Sequence, residues 1–473
     1  MLSDKPFVCL DIGRSLIHLM VGQVSSDPQD VEILHAGLSP SDGFRKSRVL
    51  DMQQLSDALS SALADAEKTV GYPIRSVYLG VDAMLTRMMH IEATKVFPDI
   101  DHIICRNDVT SVMRELSSNV QASREDIIDL FPVIYTLDRG RVTLNPLNLT
   151  SAQLGVKGFL LLRRDDTLRH ILRALRYAGV QVEGILHLGL AIGEVYLSQD
   201  EKTQGSIIMD IGSEGSKFYF FRSGFMQAEA FVPIGGRRFT KDIELVLKCS
   251  ASEAERLKFR HGFHSVIDSM PLSTDLDEQG RMALDFTQYA SWSEAEQGNL
   301  VSRILLARLE RLVSLAQNDL RQHVSMPSSV LIKLVGGEVV LHGLAEHVAA
   351  LWPAKVDILS LGETSVFPQG GLVTFINTYG MVQYLRQFFH PLASVPDPSL
   401  GIDLSSEYSL LQPRSKSTPF VVTSAVSGDD KGVFLPDDEQ EDSAKGGELP
   451  SQSKRNSPQP SRNVGWRNWL GRR

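Results

Sequence analysis

Cysteine is scarce in this sequence, and several other signals are missing. The 473 residues include three cysteines, Cys9, Cys105 and Cys249, without C-x-x-C spacing, which predicts a reducing compartment and no zinc site. No run reaches about 18 apolar residues, so no transmembrane helix is predicted. The N-terminus, MLSDKPFVCLDIG, has no basic region before an apolar stretch, so no signal peptide is predicted. The formal net charge of -9 argues against a general nucleic-acid binder.

The chain does contain enough apolar material for more than one domain, because it is long and 42% hydrophobic. Residues 1 to about 390 alternate strand-like and helix-like patterns. Residues 391–461 are rich in proline, serine and charge and show no lasting apolar period, which predicts a disordered linker. Residues 462–473, RNVGWRNWLGRR, are aromatic and basic.

One short pattern occurs twice: an apolar strand, then Asp-Ile-Gly, a tight turn and a second strand. The first copy contains Asp11 and Gly13, and the second, 199 residues later, contains Asp210 and Gly212. A single copy would be read as a plain β-turn, but two copies predict a duplicated architecture. The glycines let backbone N–H groups approach an anion, and each carboxylate would bind a hydrated magnesium ion or orient a water molecule. Two facing hairpins would therefore hold the phosphates of a nucleotide, with Asp11 and Asp210 at one metal site.

Other polar and glycine positions extend this candidate site. Ser15 and Ser213 lie in the two turns, Gly235-Gly236 precedes a predicted helix, and Gly336-Gly337 ends a predicted strand where a base or ribose would approach. An ordinary strand-to-helix connection explains the last pair equally simply. Glu255 and Lys258 are three residues apart on one predicted helix face. They fit either a ribose contact or a solvated ion pair.

The order of these motifs resembles the actin-like ATPase superfamily and, within it, the FtsA family of bacterial cell-division proteins. Most of residues 5–385 takes part in the resemblance. The stretches that carry it are SVYLGV, NPLNLTSAQLGVKGFLLL, ILRALRYAGVQVEGILHLGLA, SIIMDIG, VPIGGRRFTKDI, SEAERLKFRHG and LVGGEVVLHGLAEHV.

The resemblance implies an α/β fold of the actin-like, ribonuclease-H-like duplicated type, with an FtsA-type inserted subdomain. The implied divisions are a first half at 1–83 and 162–204 with a returning helix at about 374–390, the inserted subdomain at 84–161, a second half at 205–242 and 329–373, its insert with the FtsZ-binding surface at 243–328, the disordered linker at 391–461 and an amphipathic membrane-targeting helix at 462–473.

The resemblance also implies a function. The chain would tether FtsZ filaments to the cytoplasmic side of the inner membrane at the division site, form polymers with itself and recruit other divisome proteins. Its cofactors would be ATP and Mg2+, with the metal held through water by Asp11 and Asp210. No nucleic-acid partner and no catalytic residue is implied.

Several residues depart from the family pattern. Arg14 and Leu16 replace a small hydroxyl residue and a lysine in the first turn, and Glu214 and Lys217 make the second turn unusual. The sequence GGEVV crowds the expected base site, and a Glu-Pro-Arg motif near the base is missing. We therefore expect weak or magnesium-independent ATP binding and negligible hydrolysis. An actin-fold phosphotransferase and a pilus-assembly adaptor of the PilM type remain as alternatives.

The segment 462–473 predicts a membrane anchor. At 100° per residue, Trp466, Trp469 and Leu470 share one stripe. Arg467 and Arg472 lie on its two flanks, and Arg473 stays close enough to snorkel. Glycines at 465 and 471 lower helix propensity, so folding is expected on an anionic bilayer and not in water. The alternative is a tail whose tryptophans dock on the protein itself or on a partner.

Overall fold

The computed structural model describes residues 6–25, 31–45, 48–118, 127–143, 145–263, 293–327, 329–361 and 373–389. All of them belong to the first of two compact units, residues 1–424. The predicted linker, the predicted membrane helix at 462–473 and part of the predicted 243–328 insert lie outside the described residues. Within the described residues, no helix is both long enough and apolar enough to span a bilayer.

The described residues form sixteen strands and ten α-helices. The strands are β1 Phe7–Ile12, β2 Leu16–Val24, β3 Val31–Pro40, β4 Phe44–Arg45, β5 Arg48–Val49, β6 Ser76–Val81, β7 Thr86–Val96, β8 Ile127–Thr136, β9 Val142–Thr143, β10 Gln153–Arg163, β11 Gln181–His187, β12 Ser206–Ile211, β13 Ser216–Arg222, β14 Phe225–Val232, β15 Val330–Val335 and β16 Ala354–Ile358. The helices are α1 Met52–Val70, α2 Arg106–Ser118, α3 Thr167–Tyr177, α4 Leu188–Tyr196, α5 Gln199–Gln204, α6 Gly236–Leu247, α7 Ala251–His261, α8 Glu294–His323, α9 Leu344–Leu351 and α10 Ile376–Phe389. Two 3-10 helices cover Asp138–Gly140 and Gly337–Val340.

Two five-stranded sheets share one topology. The first has the order β11-β6-β1-β2-β3 and the second the order β16-β15-β12-β13-β14. In each, the first three strands run parallel and the last two are added antiparallel as a meander. The central strands β1 (FVCLDI) and β12 (SIIMDI) are buried along their whole length, as expected for strands covered on both faces. The duplicated α/β fold predicted from the repeated hairpin is thereby confirmed.

Helices cover these sheets, and their sequences explain where they begin and end. In α1 the buried Leu55, Leu59 and Leu63 recur every four residues and form one apolar face. Asp51 caps the helix start by accepting a hydrogen bond from the Gln54 N–H, and Gly71 ends the helix in the left-handed conformation, with φ of 81°. Helix α10 returns to the first sheet, where Met381, Val382 and Leu385 join its core.

A separate four-stranded sheet, in the order β7-β10-β8-β9, follows the first strands of the chain. With α2 it encloses its own small core, which includes Phe97, Ile104, Val112 and Val156. The predicted domain boundaries remain predictions, since the sheets alone do not fix them to the residue.

Helix α4 joins the two halves by a close approach to β13. A Cβ added to Gly189 would overlap the Tyr219 ring, and one added to Gly193 would overlap the Phe221 ring. Nearby, the buried Glu229 of β14 accepts a hydrogen bond from Thr86 at 3.0 Å and lies 2.8 Å from His187 Nε2. The contact between the halves therefore combines tight packing with a satisfied buried polar group.

We expect Gly193→Ala to lower the free energy of unfolding by about 1 to 3 kcal/mol, because the added methyl group overpacks the Phe221 ring. Helix propensity alone would make this substitution stabilising by roughly 0.5 to 1 kcal/mol, so a loss of stability would point to the overpacking. Chemical or thermal unfolding of the purified chain measures the effect. In a Phe221→Leu background the cost should shrink, because the ring is gone. An equal cost in both backgrounds would contradict a direct contact.

Candidate nucleotide cleft

The two Asp-Ile-Gly turns meet at one place between the halves. The Asn377 amide donates to Asp11 Oδ2 at 3.2 Å and lies 3.5 Å from Asp210 Oδ2. The Ser15 hydroxyl donates to the Ser213 hydroxyl at 2.9 Å, which links the turns directly. The structure thus brings together the residues at which the sequence predicted facing hairpins. Their roles toward metal and phosphate stay predictions.

The two turns also have the same internal geometry. The Gly13 N–H donates to the Leu16 carbonyl at 2.9 Å, and the Gly212 N–H donates to the Gly215 carbonyl at 3.1 Å. Gly235-Gly236 packs on the second turn, because the Gly236 N–H donates to the Gly212 carbonyl at 3.0 Å. Three of the predicted glycines, Gly212, Gly235 and Gly236, therefore lie side by side in the second half, and Gly13 occupies the equivalent turn of the first.

Lys217 occupies the centre of the cluster. Its Nζ lies 3.0 Å from Asp210 Oδ2 on its own half and 3.1 Å from Asp82 Oδ2 on the other half. Its side chain is 13% exposed, so both ion pairs are largely shielded from water. The sequence identified Lys217 only as a departure from the family pattern, and it missed Asp82. The signal for Asp82 was an apolar strand, SVYLGV, that also ends on an aspartate.

The titration of these groups reflects the cluster. Burial by itself would lower the pKa of Lys217, but the carboxylates of Asp210, Asp82 and Asp11 outweigh it and raise that pKa above its ordinary value. Burial opposes ionisation of Asp82, yet Lys217 and then Arg14 lower its pKa overall.

The first hairpin carries a histidine where the second carries Lys217. Burial chiefly lowers the pKa of His18, which is directly across the strand pair from Asp11, so the imidazole is neutral at neutral pH. Burial also raises the pKa of the Asp11 carboxyl, against the opposing effects of His18 and Lys217. Lys217 is therefore the cross-strand partner that brings positive charge.

With Lys217 in this position, the three carboxylates do not fit a magnesium ion. Mg2+ requires a near-ideal octahedron of oxygen ligands. An ion sharing these carboxylates at about 4 Å from the ammonium would be repelled by about 4 kcal/mol per unit of its charge at an effective dielectric constant of 20. Among the described residues, no group of three or more His, Cys, Asp or Glu side chains could hold a metal. The magnesium role predicted for Asp11 and Asp210 stays a prediction, and the position of Lys217 counts against it.

Arg14 adds a second positive charge beside the turns. Its guanidinium carbon lies 5.0 Å from the centroid of the Phe231 ring, a cation–π contact, and a Cβ on Gly215 would overlap the guanidinium. The acidic side chain of Glu214 in the same turn is paired with Arg237 at 3.0 Å. The negative charge that Glu214 brings near the expected phosphates is thus compensated within the protein.

The predicted nucleoside end of the cleft contains a buried ion-pair network. Lys258 Nζ lies 3.1 Å from Glu255 Oε1 and 3.0 Å from Glu338 Oε2, and the lysine side chain is 1% exposed. The ion pair between Glu255 and Lys258 exists, as the sequence allowed. It is not a solvated pair, because the Lys258 side chain is buried and also contacts Glu338. Thr240 also donates to Glu255.

Glu338 follows Gly336-Gly337 directly and is the residue through which GGEVV crowds the cleft. A Cβ on Gly236 would overlap its carboxylate, and a Cβ on Gly336 would lie 2.5 Å from Asp210 Oδ1. Burial raises the pKa of Glu338, and Lys258 opposes that rise. The absence of a side chain at Gly236 and Gly336 therefore leaves room for two carboxylates of the protein, Glu338 and Asp210.

We expect Lys217→Met to lower the free energy of unfolding by about 3 kcal/mol, because it leaves Asp82 and Asp210 buried without their counter-ion. The raised pKa of Lys217 means that its stabilisation is fully present below its ordinary value of 10.5 and is lost only at higher pH. The lowered pKa of Asp82 means that its stabilisation is present above its ordinary value of 3.8 and is lost as the pH falls further. The difference between wild type and variant should be constant from about pH 5 to 9 and shrink below about pH 4.

Urea unfolding across this pH range measures the difference. The charged groups that face Lys217 are Asp210, Asp82, Asp11 and Arg14, with the neutral His18 nearby. A variant as stable as wild type at neutral pH would show that the pairs contribute nothing. A difference that keeps its full size in acid would show that it does not come from these carboxylates.

Comparison with known proteins shows which proteins the chain is similar to. No family model matches the chain. The chain is 28% identical over 346 residues to the cell division protein FtsA of Bacillus subtilis (strain 168), which covers 72% of this chain and 76% of that protein. It is 25% identical over 365 residues to the cell division protein FtsA of Escherichia coli (strain K12), which covers 75% and 84%.

Among solved structures, a chain of the PilM–PilN type IV pilus biogenesis complex is similar, with a TM-score of 0.53 and 17% identity over 80% of this chain and 97% of that one. At this identity the likeness shows the fold alone. The two FtsA relatives match this chain over about three quarters of its length. In sequence the chain is similar to FtsA proteins, consistent with a divergent FtsA, and its fold is actin-like.

Proposed function

We propose that this protein is a cell-division adaptor that tethers FtsZ filaments to the inner face of the cytoplasmic membrane, assembles with itself and recruits later division proteins. The observation that carries the proposal is the match to two FtsA proteins over 72% and 75% of the chain. The duplicated fold, in which the two Asp-Ile-Gly turns meet in one cleft, supports it further. FtsZ, other division proteins and a second copy of the chain are the proposed partners.

Exposed apolar side chains support the self-association part of the proposal. Among the described residues, Val96, Ile100, Ile103 and Val142 are each at least 62% exposed, and all lie between β7 and β10. Single exposed apolar residues are ordinary, but four on one small subdomain favour a protein interface. These four residues belong to the segment predicted as the inserted subdomain, 84–161, for which we propose a role in self-association.

Membrane attachment is proposed for residues 462–473. Burial of two tryptophans and one leucine contributes about 2 kcal/mol each, and each arginine near an anionic surface adds about 1 kcal/mol. Ordering the segment costs about 1 kcal/mol per residue. A single anchor is therefore weak, and stable attachment depends on many anchors in one polymer.

ATP is proposed as the ligand of the cleft, bound without significant turnover. The first turn lacks the family lysine, and Leu16 stands in its place. After the second turn, Lys217 of β13 is paired with two carboxylates of the protein itself. A phosphotransferase of the same fold would need a carboxylate poised at a substrate hydroxyl, and it would have no use for a basic, aromatic tail.

We expect wild-type protein to sediment with anionic vesicles and the Trp466→Ala/Trp469→Ala variant to remain largely in the supernatant. A truncation before residue 462 should behave like the double variant. Vesicles of neutral lipid are the matched control, because they lack the charge that attracts the arginines. If both variants sediment as well as wild type, the tail is not the anchor. If FtsZ fails to co-sediment with vesicles carrying the wild-type protein, the tethering function is wrong.

We expect ATP turnover well below about 1 per second, the lower end of typical enzymes. Release of inorganic phosphate from ATP measures it, and a panel of sugars added to the same assay tests phosphotransfer. Turnover at an ordinary enzymatic rate, or phosphorylation of any sugar, would favour the phosphotransferase alternative over the adaptor.

A further inference from the structure

We propose that the Lys217 ammonium takes the place of a divalent cation in this cleft, so that a nucleoside triphosphate binds there as the metal-free anion. The ammonium lies 3.0 Å and 3.1 Å from the carboxylates of Asp210 and Asp82, one from each half. The third carboxylate, Asp11, is linked to Asp210 by the Asn377 amide. The inference rests on the proposed binding of a nucleotide in this cleft and specifies the form of the ligand.

Strand pairing fixes this arrangement. Lys217 is the direct cross-strand partner of Asp210 in the antiparallel pair β12–β13. Side chains opposite each other in such a pair lie close together, so the backbone register itself holds the ammonium beside the carboxylate. No loop movement is needed to bring the cation beside the carboxylate.

The charge balance also fits a built-in cation. The charged groups around the paired turns are four carboxylates and three cations: Asp11, Asp82, Asp210, Glu214, Lys217, Arg14 and Arg237. Glu214 and Arg237 pair with each other at 3.0 Å, which leaves Lys217 and Arg14 to face the three cleft carboxylates. Lys217 and Arg14 supply two positive charges, which equals the charge of one magnesium ion, and both are departures from the family pattern. A divalent cation would have to compete with Lys217 for the carboxylates of Asp82 and Asp210.

Calorimetric titration of the full chain with ATP tests the proposal in two buffers, one with excess EDTA and one with excess Mg2+. For wild type we expect affinities that agree within about twofold. For Lys217→Met we expect the affinity in EDTA to fall about tenfold or more, because the phosphates then face three carboxylates without the ammonium. Mg2+ should restore part of that loss, since the carboxylates are no longer occupied.

Lys333→Met is the matched control. Lys333 also pairs with two carboxylates, Glu201 at 3.0 Å and Asp357 at 3.6 Å, and its side chain is 14% exposed. It belongs to β15 of the same sheet but contacts none of the three cleft carboxylates. Its loss should leave the ATP affinity unchanged in both buffers. Thermal unfolding of each variant shows whether it is folded at the temperature of the titration.

Three results would overturn the proposal. The first is a wild-type affinity that rises about tenfold or more when Mg2+ replaces EDTA, which requires no variant and so does not depend on how Lys217→Met folds. The second is a folded Lys217→Met variant that binds as wild type does in EDTA. The third is wild type that binds no ATP in either buffer. That third result leaves the adaptor function standing, because the vesicle and FtsZ experiments test it separately.

Discussion

The ion pairs of Lys217 are the interaction on which the arrangement of the two halves depends. Three carboxylates at strand ends, in a cleft with little water, would repel each other and favour separation of the halves. One ammonium that contacts a carboxylate from each half turns that repulsion into attraction. The Asn377 amide and the Ser15–Ser213 hydrogen bond complete the closure. The halves are thereby joined by groups of the protein itself.

This closure changes what a nucleotide can contribute. In a cleft held together by a ligand, binding energy goes into drawing the halves together. Here side chains of the protein make contacts across the cleft, and the α4–β13 packing also joins the halves. Glu338 and Lys258 fill the nucleoside end in a similar way. In the proposed polymer, assembly would therefore depend on concentration and membrane attachment more than on a nucleotide cycle.

Sequence patterns predicted the parts that depend on local chemistry. The repeated Asp-Ile-Gly turn is a local signal, and it led to the duplicated fold and to the meeting of Asp11 with Asp210. Asp82 was missed because nothing in its own strand shows which residue of the other half it will face. The sequence left a solvated Lys258 open, because the carboxylate that it meets in the interior, Glu338, is eighty residues later in the chain. The register of the β12–β13 hairpin pairs Lys217 with Asp210. Its second partner, Asp82, is brought near only by the tertiary fold.

Helix α10 gives the chain a particular mechanical connection. It is packed on the first sheet through Met381, Val382 and Leu385, and it ends at Phe389, from which the chain continues into the tail. Under the proposed function, tension on the tail would act on the end of this helix. Asn377, near the start of the same helix, contacts Asp11 of the first half and lies 3.5 Å from Asp210 Oδ2 of the second. A pull along α10 would therefore reach the cleft directly, through one side chain that touches both Asp-Ile-Gly turns.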